Sequence, residues 1–280
     1  MMSIKRPIST LIPRQYCRFW RLSLALLVML AHAHQVQAEP AKSASFLYQL
    51  SPNELAQEFI NIQVGKQKIH ALYKANKGKQ ALGAVILLHD AFAHINDDPI
   101  ISGLRTYLPN HGWASLSLET PFTTYEALPL TQNELSAEIK TRANEAIQFL
   151  REQGFQQIAI IGEGLGATLA SHVAANVTDG SILTVVCINS VQHPLLSAEI
   201  HPNEILARLE IPVLDLQIST TPLGASYTNN QLRHHTIKAG NPKYTWIHLP
   251  ANNLHGGATP IKLRIRGWLQ RQSSQLPLAP

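Results

Sequence analysis

The spacing of apolar residues changes at Glu58. Residues 39–57 are polar, with few periodic apolar positions, and predict a loose entry segment. Beyond them Phe59, Ile60, Ile62 and Val64 lead to Gly65-Lys66, and Ile69, Ala71 and Tyr73 follow. Two short strands around a glycine-containing turn, a hairpin, account for that alternation. The pattern then becomes continuous. Ala84 to Leu88, Trp113 to Leu118, Ile158 to Ile161, Leu183 to Ile188, Val213 to Ile218 and Tyr244 to Leu249 read as strands covered on both faces. Between them, Ile100 to Leu108, Glu134 to Glu152, Leu165 to Ala175, Glu204 to Leu209 and Pro260 to Gln270 carry helical patterns. In the clearest of these, Ile139, Ala143, Ala146, Ile147 and Leu150 share one helix face. Strands alternating with helices imply parallel pairing. No repeat, low-complexity tract or Pro/Gly linker divides the stretch, so residues 58–280 are expected to form a single domain.

A strand, a tight turn and a helix meet at Gly162-Glu163-Gly164-Leu165-Gly166, which follows Ile158 to Ile161 directly. That is the context of the G-x-S-x-G nucleophile elbow, in which a strained middle residue projects its side chain above the sheet. Here the middle residue is Gly164, with no hydroxyl to project. The flanking glycines fit a helix and a strand in close approach. With the leading hairpin, the chain order predicts an α/β fold: an α/β-hydrolase-like, mostly parallel sheet flanked by helices, with an N-terminal antiparallel hairpin.

Five further stretches carry a family resemblance: Gly83 to Asp90 (GAVILLHD), Leu108 to Leu118 (LPNHGWASLSL), Ile160 to Ala167 (IIGEGLGA), Ile211 to Leu216 (IPVLDL) and Arg266 to Leu269 (RGWL). On these the chain resembles an uncharacterised family of exported bacterial α/β-hydrolase-like proteins, a domain-of-unknown-function family. The resemblance implies the fold and no particular reaction.

The remaining positions of a catalytic triad can be sought by chain order. His255 lies after the last strand and before the last helix, where such a fold places its catalytic histidine; a loop histidine that caps or packs is the plainer alternative. The acid is expected after Val213 to Ile218, but Ser219-Thr220-Thr221-Pro222-Leu223-Gly224 contains no carboxylate. Asp215 lies inside the strand and reads as a satisfied buried aspartate. Glu163 could serve as nucleophile or general base, although the residue before the elbow centre ordinarily packs under neighbouring loops. The loop His89-Asp90-Ala91-Phe92-Ala93-His94 follows the first core strand, where backbone N–H groups could hold a ligand's carboxylate or carbonyl. His89, Asp90 and His94 with Asp97 and Asp98 suggest a metal, but their spacing matches no zinc pattern. His234-His235 reads as a solvated pair. The expected site is thus a degenerate catalytic position at His255 with a binding surface of His89, Asp90, Glu163, Gly164 and Leu165, and neither a cofactor nor a metal.

Charge sharpens the picture at one end. Of 23 basic residues, Lys5, Arg6, Arg14, Arg18 and Arg21 precede Ala38, where no acidic residue occurs; the other 18 balance 18 acidic ones. The balance gives no reason to expect a nucleic-acid partner. The basic segment runs into the apolar stretch Leu22 to Ala31 and then Val36-Gln37-Ala38. That pattern predicts a signal peptide over residues 1–38, cleaved after Ala38, with an uncleaved anchor as the alternative. Export to the periplasm of a Gram-negative bacterium, with no stable membrane span after cleavage, is the expectation. Cys17 leaves with the signal, and Cys187 reads as a buried structural thiol. The phosphate-cradling glycine loop is absent, as is the dinucleotide fingerprint. Asn176-Val177-Thr178 is a sequon that bacterial export leaves idle. Three functions fit: a non-catalytic protein whose cleft binds a small molecule or an envelope protein, an atypical hydrolase of ester or amide bonds using His255 with Glu163 or Asp90, and a structural protein acting through its outer surface.

Overall fold

The computed structural model of the chain describes residues 55–91, 93–97, 99–121, 132–190, 201–219, 225–250 and 259–274. Strands β1 (Phe59–Val64) and β2 (Gln67–Lys74) form the expected hairpin. They are followed by β3 (Gly83–Leu88), helix α1 (Ile101–Tyr107), β4 (Trp113–Leu118), α2 (Gln132–Glu152), β5 (Ile158–Glu163) and α3 (Leu165–Asn176). Then come β6 (Ile182–Ile188), α4 (Pro202–Arg208), β7 (Val213–Ser219), α5 (Ala225–Gly240), β8 (Tyr244–Pro250) and α6 (Thr259–Ser274). The eight strands make one sheet in the order β1-β2-β4-β3-β5-β6-β7-β8. Pairing is antiparallel where β2 meets β1 and β4, and parallel from β4 through β8.

Because side chains alternate across a strand, each apolar run feeds two cores. Ala84, Ile86 and Leu88 of β3 pack with Ile139 and Ile147 of α2, Leu169 and Val173 of α3 and Ile237 of α5. Val85 and Leu87 pack on the opposite side with Leu104 of α1 and Ile261, Ile265 and Trp268 of α6. The Trp268 indole N–H donates to Thr184 Oγ1 at 2.8 Å, satisfying a polar atom inside that second core.

Helix α5 has no counterpart in the hydrophobic pattern. Its described side chains are mostly polar, Leu232 is 70% exposed, and Ile237 alone is a fully buried apolar anchor. A stripe that narrow gives no helical period. Polar bonds also tie the helix to the sheet: Arg233 Nη1 donates to Asp215 Oδ2 of β7 at 2.7 Å, and the Tyr244 hydroxyl of β8 donates to the same oxygen at 2.6 Å. Asp215 is thus a buried structural aspartate, the third of the seven residues of β7 and so short of the carboxyl end after which a triad acid would act. Cys187 lies in the same core, and burial pushes its thiol well above the usual range. Among the described residues, no helix is long and apolar enough to cross a membrane.

Candidate functional site

Strand β5 ends at Glu163 and α3 begins at Leu165, so the turn between them is one residue, Gly164. That residue has φ +56° and ψ −119°, a conformation strained for any residue with a side chain. The glycines around it answer to crowding: a Cβ on Gly162 would overlap the Gly166 carbonyl, and one on Gly166 would overlap the carbonyls of Leu88 and His89. The elbow backbone is therefore present in full.

The space above it is filled by the chain itself. A Cβ built on Gly164 would coincide with the carboxylate of Asp90. Asp90 Oδ1 accepts the Leu165 N–H at 2.6 Å and the Ala91 N–H at 2.7 Å. These donors are the residue after the elbow centre and a residue of the loop after β3, the two places from which an oxyanion hole is assembled. The Asp90 carboxylate occupies the volume of the missing serine side chain and the acceptor position of the hole at the same time. The loop after β3 was expected to hold a ligand's carboxylate; the carboxylate it holds is its own.

His89 fixes the loop from behind. It is fully buried, and its Nδ1 lies 2.8 Å from the Asp90 carbonyl while its Nε2 accepts the Thr120 N–H at 3.1 Å. Since an amide N–H can only donate, the network assigns the proton to Nδ1. Burial, first, lowers the ring to about 4, so it stays neutral. With no exposed surface, His89 does not line the cleft as the sequence suggested; it positions Asp90.

Glu163, partly buried at the end of β5, is raised to about 7 by burial and then by the charges of Asp90 and Asp97. From pH 4.5, its ordinary value, up to about 7, the unfolded chain releases this proton and the folded chain keeps it. Stability therefore falls as pH rises across that window, by on the order of 1.4 kcal/mol per unit, and levels off above it. Glu163→Gln is expected to flatten the profile, read as denaturation midpoints from pH 4 to 8; parallel profiles for the two proteins would refute the assignment.

The other expected residues separate. His94 pairs with Asp97 at 3.6 Å. Among the described residues no group of three His, Cys, Asp or Glu side chains could hold one metal ion. His234 stacks on Tyr244 and Trp246, with ring centroids 5.3 and 5.2 Å away, while His235 is exposed. His255, Phe92 and Asp98 lie outside the described residues, as do 220–224 of the acid loop. Sequence reasoning passed over Asn189, which closes β6 at φ +51°. Its N–H donates to the Leu216 carbonyl at 2.9 Å and its Oδ1 accepts the Ile218 N–H at 2.7 Å, binding the carboxyl ends of β6 and β7 together. An asparagine directly after an apolar strand was the available signal. At the other end of the sheet, a groove of about 640 Å³ opens between the end of α3 and α4, lined by His172, Val177, His201, Glu204 and Arg208; it shares no residue with the elbow.

Strand order, one-residue elbow and paired N–H donors define an α/β-hydrolase-fold protein. Solved structures agree on the fold. A dienelactone hydrolase from Anabaena variabilis is 14% identical, with a TM-score of 0.58 over 76% of this chain and 96% of that one. An esterase from Pyrococcus furiosus is 14% identical, with a TM-score of 0.59 over 76% and 90%. A proline iminopeptidase from Mycobacterium smegmatis is 9% identical, with a TM-score of 0.55 over 78% and 99%. No curated protein matches the chain in sequence. The chain belongs to the family described as "Protein of unknown function (DUF3530)", which it matches over residues 22–142 and 129–271.

Proposed function

We propose that this protein is an exported, hydrolase-fold binding protein of the bacterial envelope, non-catalytic toward carboxylic esters and amides. One observation carries the reading: Asp90 Oδ1 accepts both oxyanion-hole N–H groups while its carboxylate fills the place of the absent serine side chain. Acyl transfer needs a nucleophile at the elbow and an empty hole for the carbonyl oxygen. Gly164 supplies no nucleophile, and Asp90 leaves no empty hole. Glu163 paired with His255 would face the same closed hole, so no observation favours the ester- or amide-hydrolysing alternative. The partly exposed side chains of Asp90 and Glu163, above the buried Gly164 and Leu165, are the surface offered to a small molecule or an envelope partner. Export rests on the basic, apolar and small-residue succession of residues 1–38, and periplasmic residence follows from it.

The test is a panel of short-chain esters and anilides presented to the purified protein beside His255→Ala. Both proteins are expected to turn over no faster than buffer. Hydrolysis that His255→Ala abolishes would overturn the reading and return the cleft to acyl chemistry.

A further inference from the structure

Basic and acidic residues balance beyond Ala38, but they are not mixed in space. Residues 99–118 and 216–280 contain no aspartate or glutamate, and they supply the helical layer over the second core: α1, the turn Leu108–His111 and α6. Helix α6 packs Ile261, Ile265, Trp268 and Leu269 inward and exposes Leu263, Arg264, Gln270 and Arg271. Lys262 and Arg266 are half-buried beside α1. Arg266 Nη1 donates to the Tyr107 hydroxyl at 3.0 Å, and Lys262 Nζ lies 5.9 Å from the centre of the Tyr107 ring. Exposed Lys77 and Lys79 adjoin the same layer, because the Lys77 N–H donates to the Pro109 carbonyl at 2.8 Å.

The fold itself does not call for these cations. Among the described residues, every arginine outside α6 has a carboxylate partner: Arg105 with Glu58, Arg142 with Glu138, Arg151 with Asp179, Arg208 with Glu204 and Arg233 with Asp215. Arg264, Arg266 and Arg271 have none there, nor has Lys262. Lys262 also stands in the first turn of α6, where the helix dipole disfavours a cation, and four residues from Arg266, where like charges repel. A layer that keeps unpaired cations against its own repulsion is suited to an anionic partner. The leucine among them indicates which kind. Leu263, between Lys262 and Arg264, is 48% exposed, and Gln275-Leu276-Pro277-Leu278-Ala279-Pro280 beyond the helix carries two leucines and no charge. A nucleic-acid backbone presents phosphates alone, whereas a bilayer presents phosphates with hydrocarbon just beneath them.

We propose that the α6 layer is a peripheral docking surface for a bilayer rich in anionic phospholipid. Lys262, Arg264, Arg266 and Arg271 lie over the headgroups, and Leu263 reaches the acyl boundary. The proposal does not involve the elbow; it rests on the functional reading only for export, which brings the protein to the envelope membranes.

The purified protein is sedimented with vesicles of phosphatidylcholine alone and of equal parts phosphatidylcholine and phosphatidylglycerol. The wild type is expected to prefer the anionic vesicles, and added salt to weaken that preference. Arg264 and Arg271 are exposed, so Arg264→Gln with Arg271→Gln is expected to unfold at the wild-type temperature. Its partitioning onto anionic vesicles should fall about 25-fold, about fivefold for each basic side chain removed near such a surface. Arg264→Lys with Arg271→Lys keeps the charge and should partition as the wild type does. Leu263→Ser should lose binding that survives at high salt. All variants share residues 1–38, so any attraction of that basic, apolar segment is common to them. A wild type without preference for anionic vesicles overturns the proposal, as does a glutamine pair that partitions like the wild type. A lysine pair that loses as much as the glutamine pair also overturns it, since guanidinium-specific contacts belong to an acidic protein partner. Ester turnover reads the elbow, and the location of the chain in cells reads export, so failure of either leaves the vesicle result standing.

Discussion

Gly164→Ser is expected to produce a less stable protein, by about 3 kcal/mol, that remains inert toward esters. The new Cβ arrives where the Asp90 carboxylate already sits, so Asp90 must leave the N–H groups of Ala91 and Leu165. Hydrogen bonds to charged groups contribute about 1.5–3 kcal/mol each, and the exposed partners recover part of that from water. The elbow conformation at φ +56° adds about 1–3 kcal/mol of strain for a residue with a side chain. Gly164→Ser combined with Asp90→Gly removes the collision and leaves the strain. The double variant should therefore be more stable than the sum of the two single effects, because the sites share one volume. Urea denaturation of the four proteins measures this. Strict additivity would mean that Asp90 does not occupy the serine position.

Asp215→Ala should be the most damaging single change away from the elbow, at about 3–5 kcal/mol, the cost of removing one partner of a buried charge pair. Asp215 is fully buried, and its Oδ2 accepts from both Arg233 and Tyr244. Arg233 also reaches Asn203 Oδ1 through Nε at 2.6 Å, so one aspartate gathers α5, β8 and the start of α4 onto β7. Deleting it strands a cation that is 14% exposed and a hydroxyl that burial and the Asp215 charge hold in the neutral form. Asp215→Asn keeps an acceptor for Tyr244 and should lose less. Equal denaturation midpoints for wild type and Asp215→Ala would show that α5 is held by Ile237 and its neighbours alone.

The parts of this molecule legible in the sequence are those whose cause is local. Val85 and Ile86 point to opposite faces of β3, and both faces are covered, so the strand must be apolar throughout. Gly162, Gly164 and Gly166 announce the elbow because close approach and a positive φ are demands on single residues. Helix α5 was silent because its described contacts with the sheet are one buried isoleucine, the His234 ring on Tyr244 and Trp246, and the Arg233–Asp215 bond, a mixture that leaves no apolar stripe. The content of the site was silent for a related reason. Asp90 and Leu165 are 75 residues apart, and neither has a composition or spacing that foretells a bond between them. The sequence offered an oxyanion-hole loop, an elbow without serine and an aspartate, each in its place; only the fold makes one side chain the answer to both vacancies. His89 was misjudged on the same grounds, since its two hydrogen bonds reach the Asp90 backbone and the distant Thr120 and leave nothing for a ligand.

The shared volume at the elbow also constrains how such a protein can change by inheritance. A chain may hold a side chain at position 164 or a seated carboxylate at position 90, and each choice makes the other unfavourable. A lineage moving between them by single substitutions avoids the collision only if the carboxylate is absent whenever a side chain stands at 164, because glycine at 164 with an empty N–H pair carries neither the overlap nor the strain. The shared volume therefore fixes the order of events more than their outcome: leaving the present arrangement requires position 90 to change before position 164.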